Sequence, residues 1–164
     1  MKEFVIYVDG SYNRKMRQGG WCFLVLDKES GAILNKQYGS ILDIRLNDMR
    51  NVGGEIIAAL SGLEYAYQNN ATHVTLCYDY IGIEKWITPY GKRWATNNSC
   101  TSYYQYIFDK KYRNKFTISF KKIKSHTGEK YNEIVDKGAK EGAKDLVLES
   151  DREALMRIEE RFKL

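Results

Sequence analysis

The stretch that decides the fold is FVIYVDGS, residues 4–11. Its first five residues form a continuous run of β-favouring side chains, which is typical of a central strand buried on both faces. The run ends in Asp9-Gly10-Ser11, a combination that favours a turn. The sequence therefore predicts a buried first strand that delivers an aspartate to one edge of a sheet.

Beyond this strand, the pattern predicts two more strands and then a helix. The strands lie at residues 21–26 and 32–38, and their short connections favour an antiparallel meander. From Gly54 onward, apolar residues recur at intervals of three and four between residues 56 and 67. That spacing is typical of an amphipathic helix that packs on a sheet.

The second half of the chain alternates between strands and helices. In order, the patterns predict a strand at 72–78, a short helix at 81–87, a helix at 101–113, a strand at 116–123 and a helix at 129–144. The whole order indicates an α/β fold with a mixed five-stranded sheet, in which three antiparallel strands precede two parallel ones and helices flank the sheet.

Length and composition exclude several classes of protein. A chain of 164 residues with 43% hydrophobic and 29% charged side chains predicts one compact domain rather than a disordered or multidomain protein. We expect this domain to span residues 1–146, with residues 147–164 as a C-terminal helical extension of it that covers a flank of the sheet or binds a partner. No apolar stretch suits a membrane span or a signal peptide, so we expect a cytoplasmic protein without membrane contact. We also expect a monomer, because the sequence has no heptad run or long apolar surface.

Charge and cysteine usage narrow the choice of partner. The net charge of +5 and the isoelectric point near 9.0 favour an anionic partner, with nucleic acid first among them. Cys22, Cys77 and Cys100 are widely spaced and form no CxxC pair. This arrangement excludes a disulfide framework and a cysteine zinc site.

Four acidic residues are predicted to meet at one edge of the sheet. In the meander, the helix near Gly54 begins at the edge where the first strand ends, which brings Glu55 near Asp9. A right-handed crossover delivers Asp79 to the same edge, and the helix at 129–144 presents Asp136 there. Taken singly, these acids are ordinary turn, cap or solvated helix residues. Together they would repel one another unless a cation lies among them.

The predicted acidic edge favours divalent metal chemistry. Carboxylate oxygens without cysteine ligands suit Mg²⁺ or Mn²⁺. An acidic cleft on a basic protein suits two metal ions bridging the protein and a substrate phosphate, as in phosphodiester hydrolysis. His126 lies in the loop at residues 124–128, before the last of these helices. It is either a solvated loop residue or a group that moves a proton or assists product release.

With these motifs identified, the sequence resembles type I ribonuclease H over residues 3–142. Four segments carry the resemblance, namely YVDGS at 7–11, NVGGE at 51–55, YDYIGIEKW at 78–86 and HTGEKYNEIVD at 126–136. The third segment is similar to the bacterial ribonuclease HI branch, and its position predicts a catalytic domain without an N-terminal hybrid-binding module.

The resemblance implies a ribonuclease H-like fold and an endonuclease that cuts the RNA strand of RNA–DNA hybrids. The implied products carry 3′-hydroxyl and 5′-phosphate ends. The implied metal-binding carboxylates, serving two Mg²⁺ ions per site with Mn²⁺ as a substitute, are Asp9, Glu55, Asp79 and Asp136, and the implied catalytic histidine is His126.

The resemblance also implies residues that contact the hybrid. Gly10, Ser11 and Asn51 match positions in the minor groove, where 2′-hydroxyls distinguish RNA from DNA. Some family members carry a strongly basic segment called the handle. Here this segment is reduced to Lys92 and Arg93, which we predict to contact phosphates.

Two other classes of protein stay open at this point. A metal nuclease of the integrase or resolvase kind could use a similar sheet and similar acids. A non-catalytic hybrid-binding module would be expected if one of the acids were missing, but all four are present.

Overall fold

The computed structural model describes residues 2–89, 91–124 and 127–144. The strands in this part of the chain are β1 (Glu3–Asn13), β2 (Gln18–Asp27), β3 (Ile33–Ser40), β4 (His73–Tyr78) and β5 (Thr117–Lys122). The helices are α1 (Ile44–Asp48), α2 (Asn51–Gln68), α3 (Gly82–Lys85), α4 (Ser99–Ile107) and α5 (Lys130–Lys144). A π-helical turn, Phe108–Tyr112, continues α4. The predicted C-terminal extension at 147–164 lies outside the described residues.

The five strands form one mixed sheet in the order β3-β2-β1-β4-β5. β1 pairs antiparallel with β2, and β2 pairs antiparallel with β3. β1 and β4 are parallel, as are β4 and β5. The predicted fold class, three antiparallel strands followed by two parallel ones, is therefore confirmed.

The sheet lies between two helices, and β1 and β2 are buried on both faces. Along β1, Ile6 and Val8 face the larger apolar cluster, which includes residues of α2. Tyr7 faces the opposite cluster, which includes Val135 and Ala139 of α5. Alternate residues of a strand point to opposite faces, so a strand covered on both faces needs a continuous apolar run. This explains why residues 4–8 read as one uninterrupted apolar segment.

The structure corrects the predicted end of the first strand. β1 does not stop at the turn predicted from Asp9 but continues to Asn13. Its pairing with β4 ends at Tyr7↔Cys77, whereas its pairing with β2 continues to Asn13↔Gln18. The chain beyond Asp9 is therefore the arm of a β-hairpin, and only the parallel part of the ladder ends near the aspartate.

The helices differ from the prediction at their starts. α2 begins at Asn51 rather than near Gly54, and α1 was not predicted at all. Asp43 caps α1 by accepting hydrogen bonds from the backbone N–H groups of Arg45 and Leu46. Five residues are too few to show a helical period in the sequence, which is why α1 escaped the pattern analysis.

Two further observations on the described residues concern membrane-spanning helices and cysteines. Among their helices, none combines the length and apolar character that crossing a membrane requires. Cys22, Cys77 and Cys100 are buried as free thiols, so the exclusion of a disulfide framework is confirmed for these three.

Candidate active site

Three of the four predicted acids come together at one edge of the sheet. The parallel register pairs Tyr7 with Cys77, so Asp9 and Asp79 each follow two residues later on neighbouring strands. Glu55 reaches the same point from α2, one turn after the helix begins at Asn51. One carboxylate oxygen from each of the three lies within 4.8 Å of the others. The topological argument from the sequence therefore predicted this convergence correctly.

Close backbone packing places Glu55 beside Asp9. The Cα of Gly10 lies directly against the backbone of the α2 N-terminus, where a Cβ atom would collide with the Asn51 carbonyl and the Glu55 N–H. Gly54 makes the matching approach from the helix side, because a Cβ there would collide with Gly20 of β2. These two glycines allow the helix to come close enough for the two carboxylates to meet.

Asp9 and Glu55 are held away from solvent, and among the described residues no ion pair joins either of them to a cation. Asp9 is 4% exposed and Glu55 is 2% exposed. Burial, assisted by the charges of Asp79 and Asp136, raises the pKa of Asp9 to about 7. Burial and the charges of Asp9 and Asp79 likewise raise the pKa of Glu55 well above its ordinary value. Each charged form is thus destabilised by desolvation and by like charge.

One buried carboxylate oxygen, Oε2 of Glu55, indicates that a cation could bind among these acids. The Oε2 atom of Glu55 is buried and has no hydrogen-bond partner within residues 2–89, 91–124 and 127–144, whereas Asp9 Oδ1 accepts a hydrogen bond of 2.9 Å from the Gly10 N–H. A buried carboxylate oxygen ordinarily finds a donor or a cation. An orphaned oxygen within a group of three acids fits the donor set of a hard divalent metal. Asp9, Glu55 and Asp79 are therefore the residues that could hold one.

Asp136 lies at the rim rather than inside this group. It projects from α5, its side chain is 31% exposed, and its Oδ2 atom forms an ion pair of 2.9 Å with Lys140. Its charge nevertheless contributes to the raised pKa of Asp9, so it faces the same edge of the sheet. Its predicted role as a metal ligand stays a prediction, as does that of His126, which lies outside the described residues.

The start of α5 is fixed by a residue that the sequence analysis did not single out. Glu129 accepts a hydrogen bond of 2.7 Å from the Asn132 N–H and one of 3.2 Å from the Tyr7 hydroxyl. These bonds tie the helix that carries Asp136 to the central strand. A glutamate at a helix start is a recognisable capping signal, but its bond to Tyr7 spans the fold and has no local signature.

The predicted minor-groove residues flank the acids. Gly10 and Ser11 continue β1 directly after Asp9 and are half-buried, and Asn51 is exposed at the first position of α2. Their location agrees with a surface beside the acids, and their contact with a hybrid stays a prediction.

The surroundings of Arg93 favour a structural role over the predicted phosphate contact, which stays a prediction for both Arg93 and Lys92. The Arg93 guanidinium donates two hydrogen bonds, of 2.8 and 2.9 Å, to the Asp109 carboxylate and a third to the Thr88 carbonyl. Its side chain is only 11% exposed. This placement favours a structural role in joining the loop to the π-helical turn. Lys92 is exposed next to it and stays a candidate.

Replacement of each basic residue should separate these two roles. We expect Arg93→Ala to lower the free energy of unfolding by about 1–2 kcal/mol, because it removes a bidentate, partly buried ion pair. We expect Lys92→Ala to leave thermal melting unchanged and to reduce the salt dependence of hybrid binding by about one phosphate contact. Melting curves and binding titrations over a series of salt concentrations measure both. An Arg93→Ala variant with wild-type melting and a flatter salt dependence would restore the original prediction.

Comparison with known proteins agrees with this geometry. The family model described as RNase H matches residues 1–144. The ribonuclease H of Pseudoalteromonas translucida is 30% identical over 163 residues, which span 89% of this chain and 94% of that protein. The ribonuclease H of Hahella chejuensis is 30% identical over 158 residues, which span 92% of this chain and 99% of that protein.

Solved structures show the same fold. The N-terminal RNase H domain of a Mycobacterium tuberculosis protein superposes with a TM-score of 0.70 at 15% identity, covering 97% of this chain and 99% of that one. LC11-RNase H1, solved in complex with an RNA/DNA hybrid, superposes with a TM-score of 0.62 at 16% identity, covering 84% and 97%.

Proposed function

We propose that this chain, which belongs to the ribonuclease H family, is a metal-dependent endonuclease. It acts on the RNA strand of RNA–DNA hybrids. The observation that carries this proposal is the group of buried Asp9, buried Glu55 and half-buried Asp79 at the edge of the sheet. A non-catalytic member of the fold would have no use for three acids that repel one another in a desolvated position.

The donor set favours Mg²⁺, with Mn²⁺ as a substitute. The Asp9, Glu55 and Asp79 carboxylates would hold the metal, with Asp136 contributing from the rim. When bound at such a site, a pair of divalent ions supplies Lewis-acid activation of water and stabilisation of the leaving oxygen. The orphaned Oε2 of Glu55 supports this assignment, because it is a buried acceptor that the chain itself leaves unsatisfied.

The residues of the chain position the reacting phosphate and keep the acids in one place. The glycine contacts between β1 and α2 hold the Asp9 and Glu55 carboxylates on rigid elements. Gly10, Ser11 and Asn51 offer small and polar groups beside them for the minor groove. Cleavage with a 3′-hydroxyl and a 5′-phosphate as products belongs to this proposal, as does a role for His126 in proton movement or product release.

The substrate is proposed from the relatives as well as from the site. One structural neighbour was solved with an RNA/DNA hybrid, and curated relatives of similar length carry the name ribonuclease H. The net charge of +5 suits a polyanionic duplex. The family match over residues 1–144 weighs against the integrase and resolvase alternatives.

Cleavage of matched duplexes tests the proposal. Three labelled duplexes of one sequence, RNA–DNA, RNA–RNA and DNA–DNA, are incubated with Mg²⁺, with Mn²⁺ or with chelator. We expect only the RNA strand of the hybrid to be cut, only with metal, and with 5′-phosphate ends. An Asp9→Asn preparation purified in parallel controls for contaminating nuclease. Tight hybrid binding without cleavage under either metal would replace this proposal by a binding module.

A further inference from the structure

The tip of the β1–β2 hairpin carries an unbalanced positive charge. Residues 14–17 read RKMR, and all four are exposed. Among the described residues, no ion pair joins Arg14, Lys15 or Arg17 to a carboxylate. Three unpaired cations within four residues form a compact site for anions. We refer to residues 14–17 as the basic tip.

The hairpin projects past the edge of the sheet where the acids meet. β1 continues for four residues beyond Asp9, while β4 ends at Tyr78. At roughly 3.3 Å per residue, the end of β1 at Asn13 lies about 13 Å beyond Asp9 along the strand, and the basic tip begins at the next residue. It therefore lies on the catalytic side of the molecule rather than at a remote surface.

Side-chain hydrogen bonds between the base of the hairpin and the region of α1 hold the hairpin in place. Asn47 accepts a hydrogen bond of 2.6 Å from the Gly19 N–H and donates one of 3.0 Å to the Arg17 carbonyl. Gln18 donates to the Ile41 carbonyl at 2.8 Å. Arg17 adopts a left-handed backbone conformation with φ 53° within this arrangement. These hydrogen bonds fix the backbone of the turn that carries the cations. The backbone therefore loses less conformational entropy when the turn binds an anion.

A fourth cation extends the charge toward the acids. The Arg50 guanidinium lies over the Tyr12 ring, 5.6 Å from its centroid. Arg50 is exposed, has φ 57°, and immediately precedes Asn51 at the start of α2. It connects the basic tip with the predicted minor-groove residues in one continuous polar surface.

We propose that the basic tip clamps the sugar–phosphate backbone of the hybrid substrate. This inference rests on the proposed function, because the tip lies beside the site only if that edge receives the duplex. A duplex seated on the acids meets the projecting hairpin, and phosphates within roughly four base pairs of the cleaved bond lie in its reach. The buried acids repel phosphate, so cations offset from them are needed to hold the backbone at this edge.

Binding to a hybrid without turnover tests this contact. A fluorescent RNA–DNA hybrid is titrated with full-length protein in chelator at several salt concentrations. We expect the variant Arg14→Gln/Lys15→Gln/Arg17→Gln to raise Kd at least ~10-fold at 0.1 M salt and to reduce the slope of log K against log salt by about 2. Glutamine keeps a polar, unbranched side chain without the charge and adds no new backbone demand at Arg17.

A matched triple variant controls for net charge. Lys2→Gln/Lys28→Gln/Lys115→Gln removes three exposed cations at the opposite edge of the sheet, where β1 and β5 begin and β2 ends. We expect wild-type affinity, salt slope and cleavage from this variant. The variant Arg14→Lys/Arg17→Lys keeps the charge and should keep the salt slope, while melting curves confirm that each protein is folded.

The outcomes separate this inference from the proposed function. A selective loss of affinity and slope in the basic-tip variant supports the clamp. An unchanged slope, or equal losses in both triple variants, overturns it even if the enzyme cleaves hybrids normally. Cleavage is measured separately, so failure of the nuclease proposal would show as an uncut hybrid and not as an altered salt slope.

Discussion

Asp9→Asn is expected to lower the rate of hybrid cleavage on the order of 10³-fold or more. Asp9 is the member of the acidic group carried by the central strand, and its carboxylate lies within reach of both Glu55 and Asp79. Asparagine keeps the shape of the side chain but removes the charge that would hold a divalent ion. Single-turnover cleavage with Mg²⁺ measures the loss directly.

Binding should survive this substitution. Hybrid affinity in chelator is expected to equal or exceed that of the wild type, because removing a buried negative charge lessens repulsion of the phosphate backbone. Asp48→Asn, which removes an exposed carboxylate from the end of α1, is the matched control and should cleave normally. Cleavage by Asp9→Asn within tenfold of the wild-type rate would remove Asp9 from the proposed metal site.

The metal-free protein is expected to lose stability as the pH rises from about 4 to above 7. Burial raises the pKa of Asp9 from 3.8 to about 7 and that of Glu55 well above its ordinary value. In this window the native state binds more protons than the unfolded state, so the free energy of unfolding falls with increasing pH. For Asp9 alone, the difference in pKa corresponds to a loss on the order of 4 kcal/mol.

Two acids with lowered pKa values affect the stability of the protein in a different pH range. The pKa values of Asp109 and Glu64 are lowered by hydrogen bonds and ion pairs with Arg93 and Lys111, against the opposing effect of burial. Their stabilising contribution is lost only as the pH falls below about 4. The two sets of acids together predict maximal metal-free stability near pH 4–6.

Thermal melting in chelator and in Mg²⁺ measures this effect. At pH 8 we expect Mg²⁺ to raise Tm, since a cation that binds only the native state offsets the repulsion among the acids. At pH 5 the same addition should change Tm less, because Asp9, with its pKa raised to about 7, is then largely protonated. Asp9→Asn should melt higher than the wild type at pH 8 in chelator and gain less from Mg²⁺. A wild-type Tm independent of both pH and Mg²⁺ between pH 5 and 8 would contradict the raised pKa values.

Local patterns predicted the strand order and the meeting of three acids for a simple reason. The apolar run at residues 4–8 reports a strand covered on both faces, and chain direction then determines which edge receives each following segment. Asp79 directly follows β4, Asp9 lies just beyond the point where β1 stops pairing with β4, and Glu55 lies one turn into α2. Positions of this kind follow from topology alone.

The features that the sequence did not reveal depend on contacts between distant elements. The ion pair of Arg93 with Asp109 requires a loop and a π-helical turn to pack together, and nothing in the local sequence distinguishes it from a solvated arginine. The length of the hairpin beyond Asp9 depends on pairing with β2 after pairing with β4 has ended.

The sequence by itself determined the α/β sheet, its strand order and the edge where the acids gather, because burial patterns and chain direction are local properties. Only the tertiary structure decided how deeply Glu55 is buried, which basic side chains stay available for phosphate, and how far the hairpin projects, because those depend on distances between elements that no local pattern encodes.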